Sequence, residues 1–570
     1  MDSITEQPTA SGIRKKQGGI AYFSMEIGIH PNIRTYSGGL GILAGDTVKS
    51  CADLNVPLIA VCLLYKKGYF YQKLDAEGNQ QELPNDWNPK EFLRPLKKRI
   101  FVRIEGREVY VQAWQYDVSG IGGFKIPVIF LDTDIENNGE YDRSLSYHLY
   151  GGDQEYRFAQ EIILGIGGVR MLKELGYHRI NRYHMNEGHA SLLTLEILRQ
   201  RKNDREPVWD IEGTRRMCVF TTHTPVPAGH DQFGYDLVWK LLGDFIPLNL
   251  LKSLGGEDSL NMTSLALSLS HYVNGVAKKH GKVSREMFPG YHIDSITNGI
   301  HSPTWVSPSF KKLYDEYIPG WLNDPFSLRY ALSISKEDIW NAHQEAKQVL
   351  IDYVNSKTGI DFNTDTLTIG FARSATAYKR ADLVFFDINR LINIARNAGK
   401  IQFIFAGKAH PNDWPGKELI KKIISAANQL KDVVKITYLE NYDIELAKMF
   451  ISGVDLWLNT PRKPKEASGT SGMKAALNGV PSFSILDGWW IEGCIEGLTG
   501  WSIGSISDAE NIDDKDADSL YEKLEKTIIP IFYQNRQLWL DTMRHSIAIN
   551  ASFFNTHRMI QQYVLNAYLY

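Results

Sequence analysis

Residues 401–459 read IQFIFAGKAHPNDWPGKELIKKIISAANQLKDVVKITYLENYDIELAKMFISGVDLWLN. Three short apolar runs, Ile401–Ala406, Val433–Tyr438 and Asp455–Asn459, are separated by helix-length segments. Runs of this length suit strands buried on both faces, and parallel strands need a crossover between them, so the stretch predicts a parallel sheet covered by helices. The pattern continues outward, to Leu367–Ala372 before it and Pro481–Leu486 after it, which marks a doubly wound α/β domain. Further on, Leu520, Leu524 and Ile528 stand at i, i+4 and i+8 with Glu522 and Lys526 placed as an exposed pair, so helices close the chain.

The first half repeats the theme less regularly. Ile20–Ser24 reads as a strand, and the glycine cluster Gly38, Gly39 and Gly41 opens a helix that leads to the buried-strand run Pro57–Leu64. A glycine loop at a helix start favours an anion, because the backbone can approach closely and free N–H groups point at it; an ordinary tight turn is the other reading. The spacing departs from G-x-G-x-x-G, so no dinucleotide fingerprint is offered. Ile100–Leu131 alternates like strands, and Asp153–Leu175 reads as a helix. YHMNEGHASLLTLEILRQR reads as strand, loop and helix, and CVFTTHTPVPAGH as a strand ending in a His-rich loop. Prolines and aromatics between Pro303 and Glu337 break the pattern, which reads as an interdomain region. The expected organisation is a flexible arm over 1–18, an N-terminal α/β domain over 19–302, a C-terminal α/β domain over 303–545, and a C-terminal helix over 546–570 packing back on the N-terminal domain. Two Rossmann-like, doubly wound domains would face a cleft lined by the C-terminal ends of their strands.

The 570 residues suit two to four domains at about 100–200 residues each. Lys and Arg number 63 against 66 Asp and Glu, a net charge of −3, so bulk charge gives no reason to expect a nucleic-acid or anionic-membrane partner. Four cysteines, Cys51, Cys62, Cys218 and Cys494, lie far apart without a C-x-x-C pair, which suits a reducing compartment. The apolar run Pro57–Leu64 falls short of the roughly 20 residues a membrane helix needs, and no apolar segment follows Arg14, Lys15 and Lys16 as a signal peptide requires. A cytoplasmic protein is expected. Neither His184, Glu187 and His189 nor His223 and His230 have H-E-x-x-H spacing or a third ligand nearby, so no metal is expected.

The chemistry concentrates in Lys465–Cys494, KEASGTSGMKAALNGVPSFSILDGWWIEGC, directly after the strand DLWLNTP. Ser468, Gly469, Thr470, Ser471 and Gly472 lead into a helix that carries Lys474. Backbone N–H groups and hydroxyls before a helix make a phosphate cradle. A lysine in the first turns sits in a positive local field that disfavours its charge, as a Schiff base with an aldehyde cofactor requires. A solvated surface lysine after a flexible loop is the competing reading.

EASGTSGMK followed by NGVPSFSILDG resembles the pyridoxal-phosphate segment of the α-glucan phosphorylases that act on glycogen, starch and maltodextrin. SGGLGILAGD, YHMNEGHASL, FTTHTPVPAGHD, VNGVAKKHGKVSREMF, SITNGIH, YKRADL, AGKAHP and the ENY of Glu440–Tyr442 are similar to further blocks of that family, in family order, and point to its short bacterial and archaeal branch. The resemblance implies a GT-B type glycosyltransferase architecture and pyridoxal 5'-phosphate held on Lys474. It places Gly38, Gly39, Tyr442, Thr470 and Ser471 around the cofactor phosphate, and Arg373 and Lys379 near the cofactor and substrate phosphates. Glu466, Ser468 and Gly469 would line the glucosyl unit, His223 and Asn298 would complete its pocket, and His189 and Glu187 would lie beside it. Lys474, Arg373, Lys379 and His223 carry the implied catalytic roles. The implied reaction is attack of inorganic phosphate on the non-reducing end of an α-1,4-glucan, giving α-glucose 1-phosphate with retention. The cofactor phosphate would act as acid/base partner of the substrate phosphate; two adjacent phosphates repel unless cations surround them or they share a proton, which accounts for Arg373, Lys379 and the glycine loops. No carboxylate pair at glycosidase spacing is then needed. A homodimer is also implied.

Two rivals remain: a nucleotide-sugar glucosyltransferase of the same fold, and a glucan-binding homologue with weakened activity. In the first, a second carboxylate eight positions after Glu466 would grip a ribose; that position is Lys474. The second draws on GFARSATAYKRADL, where the family carries two adjacent basic residues and this chain has Arg373 followed by Ser374. Losing a bidentate, charge-assisted contact costs roughly 1.5–3 kcal/mol. Ser374→Arg is therefore expected to lower the apparent KM for phosphate in a glucose 1-phosphate release assay, and an unchanged or raised KM contradicts that reading.

Overall fold

The computed structural model describes residues 19–202, 208–504 and 513–569; the arm expected over 1–18 lies outside them. The chain divides into two compact units: unit 1 is Met1–Tyr69, Pro84–Thr297 and Met559–Tyr570, and unit 2 is Phe70–Leu83 and Asn298–Arg558.

These boundaries differ from the expected ones for physical reasons. The stretch that looked like an interdomain region is helical and belongs to unit 2: Ser302–Trp305, Pro308–Tyr317 and a 3-10 turn at Pro325–Ser333. Each carries proline in its first turn, where the missing N–H has no helical partner anyway, so prolines that read as breaks are starts. Phe70–Leu83 forms a hairpin of unit 2, tied there when Gln72 Nε2 donates to Gly407 O (2.9 Å) and Gln80 Nε2 to Ala409 O (2.9 Å). The segment expected as one element over 546–570 is shared: residues 546–558 stay in unit 2, whereas Met559, Ile560 and Ala567 join the core of unit 1. There Tyr568 OH meets His184 Nδ1 at 2.6 Å, and Asn274 Nδ2 donates to Tyr563 OH at 3.0 Å.

Unit 1 is built on nine strands: β1 (Gly19–Ser24), β2 (Leu58–Leu63), β3 (Arg94–Ile104), β4 (Arg107–Ser119), β5 (Lys125–Asp132), β6 (Ile180–Asn186), β7 (Cys218–Thr221), β8 (Tyr272–Gly275) and β9 (Asp294–Ser295). Their order is β9-β8-β7-β6-β1-β2-β5-β4-β3, parallel except for the antiparallel β3–β4–β5 edge. The glycine cluster opens helix α1 (Gly39–Asp53) between β1 and β2, making the expected βαβ unit.

In unit 2 the strands are β10 (Leu367–Ala372), β11 (Ile401–Ala406), β12 (Lys435–Leu439), β13 (Leu456–Asn459), β14 (Ser482–Ile485) and β15 (Gly500–Ile503). All pairs are parallel and the order is β12-β11-β10-β13-β14-β15. β10 and β11 are buried along their whole length, as helices on both faces require. In both sheets the chain winds outward from a central strand and then returns to that strand's other side, so loops at the strand C-termini diverge there.

The opposite end of β13 is closed by buried charge. Asp455 accepts from Lys347 Nζ (2.6 Å) and from Thr368 N (2.7 Å), and its other oxygen meets His343 Nε2 (2.9 Å); Lys347 and His343 lie on helix α2 (Lys336–Thr358). Burial pushes the Asp455 carboxyl upward, but Lys347 and His343 override it and hold the group below its ordinary value. Lys347→Met is expected to cost about 3–5 kcal/mol in urea unfolding, because Asp455 stays buried without its cation. Since the folded carboxyl titrates below its unfolded value, the network's contribution is present above about pH 4 and lost as pH falls through the folded value. An unchanged urea midpoint in the variant contradicts this account.

Candidate active site

Of the expected site residues in unit 2, Arg373, Lys379 and Glu466 come together where the strand order reverses, between β10 and β13. Arg373 follows β10 directly and Asn459 ends β13. The Arg373 guanidinium donates from Nη1 to Asn459 Oδ1 at 2.6 Å and forms a two-pronged fork on Glu466, with Nη1 on Oε2 and Nη2 on Oε1 at 2.9 Å. Glu466 is buried, and the Arg373 side chain is nearly so. Burial opposes the charge of each, and each restores the other: Glu466 is held below the usual carboxylate range, and Arg373 stays a cation. The resemblance had given these two residues separate ligands; in the fold they hold one another.

The loops bearing them are fastened together. Arg380, in a left-handed conformation at φ 45°, donates to Thr460 O (3.0 Å), Pro461 O (3.0 Å) and Asp516 (2.8 Å), while Arg462 N donates to Tyr378 O (2.7 Å). The YKR motif therefore splits, Arg380 anchoring the neighbouring loop and Lys379 lying buried beside Arg373. Burial and the Arg373 charge bring the Lys379 ammonium down to about 7. Gly407 of AGKAHP allows this packing, since a Cβ there would stand 1.7 Å from Arg373 O. Ser374 is exposed.

Glu466 begins the loop that leads into helix α4 (Ser471–Leu477). Asp487, after β14, accepts from Glu466 N (2.9 Å) and Gly488 N (2.9 Å); burial and the Glu466 charge raise its carboxyl to about 7. Ser468 O accepts from Trp489 N (2.9 Å), whereas the buried Ser468 Oγ has no hydrogen-bond partner among the described residues, and Gly469 takes φ 80°. Trp489 and Trp490 are both buried in the core, Trp489 packing against the position of Gly472. Thr470 caps α4 without a side-chain bond, and Ser471 Oγ accepts from Trp457 Nε1 (3.2 Å). Lys474 is 7% exposed, with Nζ 3.5 Å from the centre of the Trp305 ring. It is thus a buried amine rather than a solvated surface lysine. A buried primary amine, an unpartnered Ser468 hydroxyl and the amides opening α4 fit a carbonyl cofactor bearing a phosphate. Tyr442 stands after β12, against Phe450. Asn298 is buried with Oδ1 lacking a partner among the described residues, and its backbone carbonyl accepts from Arg558 Nη2 at 3.0 Å.

Unit 1 places its expected residues at its own reversal, between β1 and β6, and in the loop after the adjoining β7. The glycine loop already holds an anion. Glu26 accepts from Ser37 N (2.6 Å), Gly38 N (3.1 Å) and Tyr150 OH (3.0 Å), so Gly38 gives its N–H to a carboxylate of the same unit. Gly39 is exposed, with open space where a Cβ would stand. A relay across the strand ends sets the His223 tautomer. Ser24 Oγ donates to Glu26 O (2.7 Å) and so accepts from Asn186 Nδ2 (3.0 Å); Asn186 Oδ1 then accepts a hydrogen bond from the N–H of His223 Nε2 (2.6 Å). His223 Nδ1 is left as an acceptor. Burial, reinforced by nearby histidines, lowers the imidazole to about 3, so it is neutral near pH 7. Glu187 positions this loop by accepting from His223 N (2.7 Å) and Thr224 Oγ1 (2.9 Å). His189 meets Asp231 at 3.3 Å, and Asp231 also pairs with Arg157 at 2.8 Å.

Asn459, Asp487, Glu26 and Asp231 were not singled out by sequence. Asp231 lies inside the THTPVPAGHD block and Asp487 inside NGVPSFSILDG, but only the strand order reveals what they touch. A cavity of about 1350 Å³ elsewhere in unit 2, lined by Tyr71, Tyr353, Glu440 and Asn441 among others, contains none of the expected site residues.

Comparison with known proteins gives the family of the chain. The carbohydrate phosphorylase family profile matches residues 247–496, which include Arg373, Lys379, Glu466 and Lys474. A maltodextrin phosphorylase of Thermococcus litoralis is 41% identical across 96% of this chain and 70% of its own length. A glycogen phosphorylase of Aquifex aeolicus is 35% identical across 96% of this chain and 86% of its own. An uncharacterized protein of Methanocaldococcus jannaschii is 32% identical across 96% and 99%. With two doubly wound α/β units of the GT-B type and this extent of similarity, the chain belongs to the carbohydrate phosphorylase family.

Proposed function

We propose that this chain is an α-glucan phosphorylase, a glycosyltransferase that moves the terminal glucosyl unit of maltodextrin, glycogen or starch reversibly onto inorganic phosphate. The product is α-D-glucose 1-phosphate with retained configuration. The observation that carries the reading is Lys474, a buried amine eight positions after Glu466, where a nucleotide-sugar enzyme would need a carboxylate. The related maltodextrin and glycogen phosphorylases support it. Four free cysteines, three of them buried, suit the cytoplasm, and no described helix is long and apolar enough to cross a membrane.

Each side chain has a role consistent with its surroundings. Lys474, Thr470, Ser471 and Tyr442 would hold pyridoxal 5'-phosphate, which when bound supplies a second phosphate as acid/base partner of the substrate's. Ionised Glu466 accepts from sugar hydroxyls, and Ser468 and Gly469 line the same wall. Neutral His223 accepts a sugar hydroxyl at Nδ1, with Glu187 holding its loop. Asn298 offers its unpartnered Oδ1 as another acceptor. Arg373 and Lys379 stabilise phosphate charge in a water-poor setting where each cation counts for more than in solvent.

Two measurements test this. Pyridoxal phosphate followed by borohydride is expected to label the peptide that carries Lys474, and Lys474→Ala is expected to lose both the label and glucose 1-phosphate release; a loaded chain labelled elsewhere overturns the reading. Lys379, near 7, should lose its charge as pH rises. Affinity for sulfate, an anion of fixed charge, is therefore expected to fall between about pH 6 and pH 9, and Lys379→Arg, charged throughout, to flatten that fall. A flat native profile contradicts the role given to Lys379.

A further inference from the structure

The phosphorylase reading asks Glu466 to take sugar hydroxyls and Arg373 to take phosphate, yet the two side chains satisfy each other. Their fork is held on two sides. Asn459 holds the guanidinium at 2.6 Å and is itself tied by Nδ2 to Ser484 Oγ at 3.1 Å, and Asp487 holds the Glu466 backbone at 2.9 Å. The side chains are 11% and 6% exposed, so water cannot readily replace a lost partner. An oxyanion that draws Arg373 away leaves a buried carboxylate unpaired, and sugar hydroxyls that draw Glu466 away leave a buried cation unpaired; both are costly. The two costs vanish together when both ligands arrive. Exposed Ser374 supplies no second guanidinium beside Arg373, so phosphate binding at the end of β10 draws on the same cation that Glu466 holds.

We propose that the Arg373–Glu466 fork is a latch that makes phosphate and the glucosyl unit bind synergistically, with Asn459 as the positioning residue that keeps Arg373 in place while it changes partners. The proposal rests on the phosphorylase reading. Opening the fork needs no backbone step, only an exchange of acceptors around a guanidinium that keeps Asn459. Coupling is reciprocal, so whatever factor the sugar adds to phosphate affinity the phosphate adds to sugar affinity.

The test is calorimetric titration of the cofactor-loaded full chain with inorganic phosphate, alone and in saturating 1,5-anhydroglucitol, a glucosyl mimic without an anomeric leaving group. In the native chain the mimic is expected to tighten phosphate roughly 10-fold, within the usual range of coupling between sites. Glu466→Gln keeps the shape and removes the charge; it is expected to bind phosphate alone about as tightly as the native chain does with the mimic, and to lose the coupling. Asn459→Asp places a second carboxylate on Arg373 and is expected to weaken phosphate binding in the absence of sugar. Equal phosphate affinity with and without the mimic in the native chain overturns the latch, as does a Glu466→Gln chain, folded by its urea midpoint, whose affinity for phosphate alone is unchanged or lower. A native chain and variants that bind no phosphate under any condition overturn the phosphorylase reading itself, and the latch with it.

Discussion

A guanidinium buried between two strand ends needs anionic and carbonyl partners on every edge, and that requirement organises the site end of unit 2. Arg373 leaves β10 at the point where the sheet reverses its strand order, so the partner strand beside it is β13 and not a sequence neighbour. β13 supplies Asn459 at its tip, and the loop beyond it supplies Glu466. Once the fork is made, the two loops must run side by side. Arg380 and Arg462 complete that pairing through backbone carbonyls, and the close approach explains why position 407 is glycine. Helix α4 follows, and its Lys474 is buried over the Trp305 indole.

Unit 1 solves the inverse problem. At its own reversal the buried group is a carboxylate, and Glu26 satisfies it with the first amides of the glycine loop and the Tyr150 hydroxyl. The same strand ends set the protonation of His223 through Ser24 and Asn186. A neutral imidazole with a known acceptor nitrogen is more useful against an uncharged sugar than an imidazolium, and burial is sufficient to keep it neutral.

Much of this was legible in sequence. The buried runs at β10 and β11 stand where their composition placed them, because an apolar run flanked by helix-length segments has few other stable arrangements. The pair Glu522 and Lys526 forms at 3.0 Å, with Leu520, Leu524 and Ile528 buried, as helical spacing dictates. The prolines at 303, 308 and 325 misled because proline both ends and begins helices, and only the following turn distinguishes the two. Gly38 and Gly39 read as a loop for a bound anion or an ordinary tight turn; in the fold the Gly38 amide goes to the internal carboxylate of Glu26, which depends on β1 lying beside the start of α1. Strand β15 was missed, being four residues long and preceded by glycine and threonine rather than a longer apolar run.

By itself the sequence determined the class of the two domains, the motif that carries Lys474 and the family to which the chain belongs, since these depend on local periodicity and on contiguous residues. The tertiary structure alone decided what each charged group touches. Arg373 and Glu466 lie 93 positions apart, and nothing in their flanks names the other. Their meeting follows from strand order, which is a global solution to burying two apolar sheet faces at once. Local rules specify which residues are polar and which are buried; which buried charge answers which is settled only when the whole sheet closes.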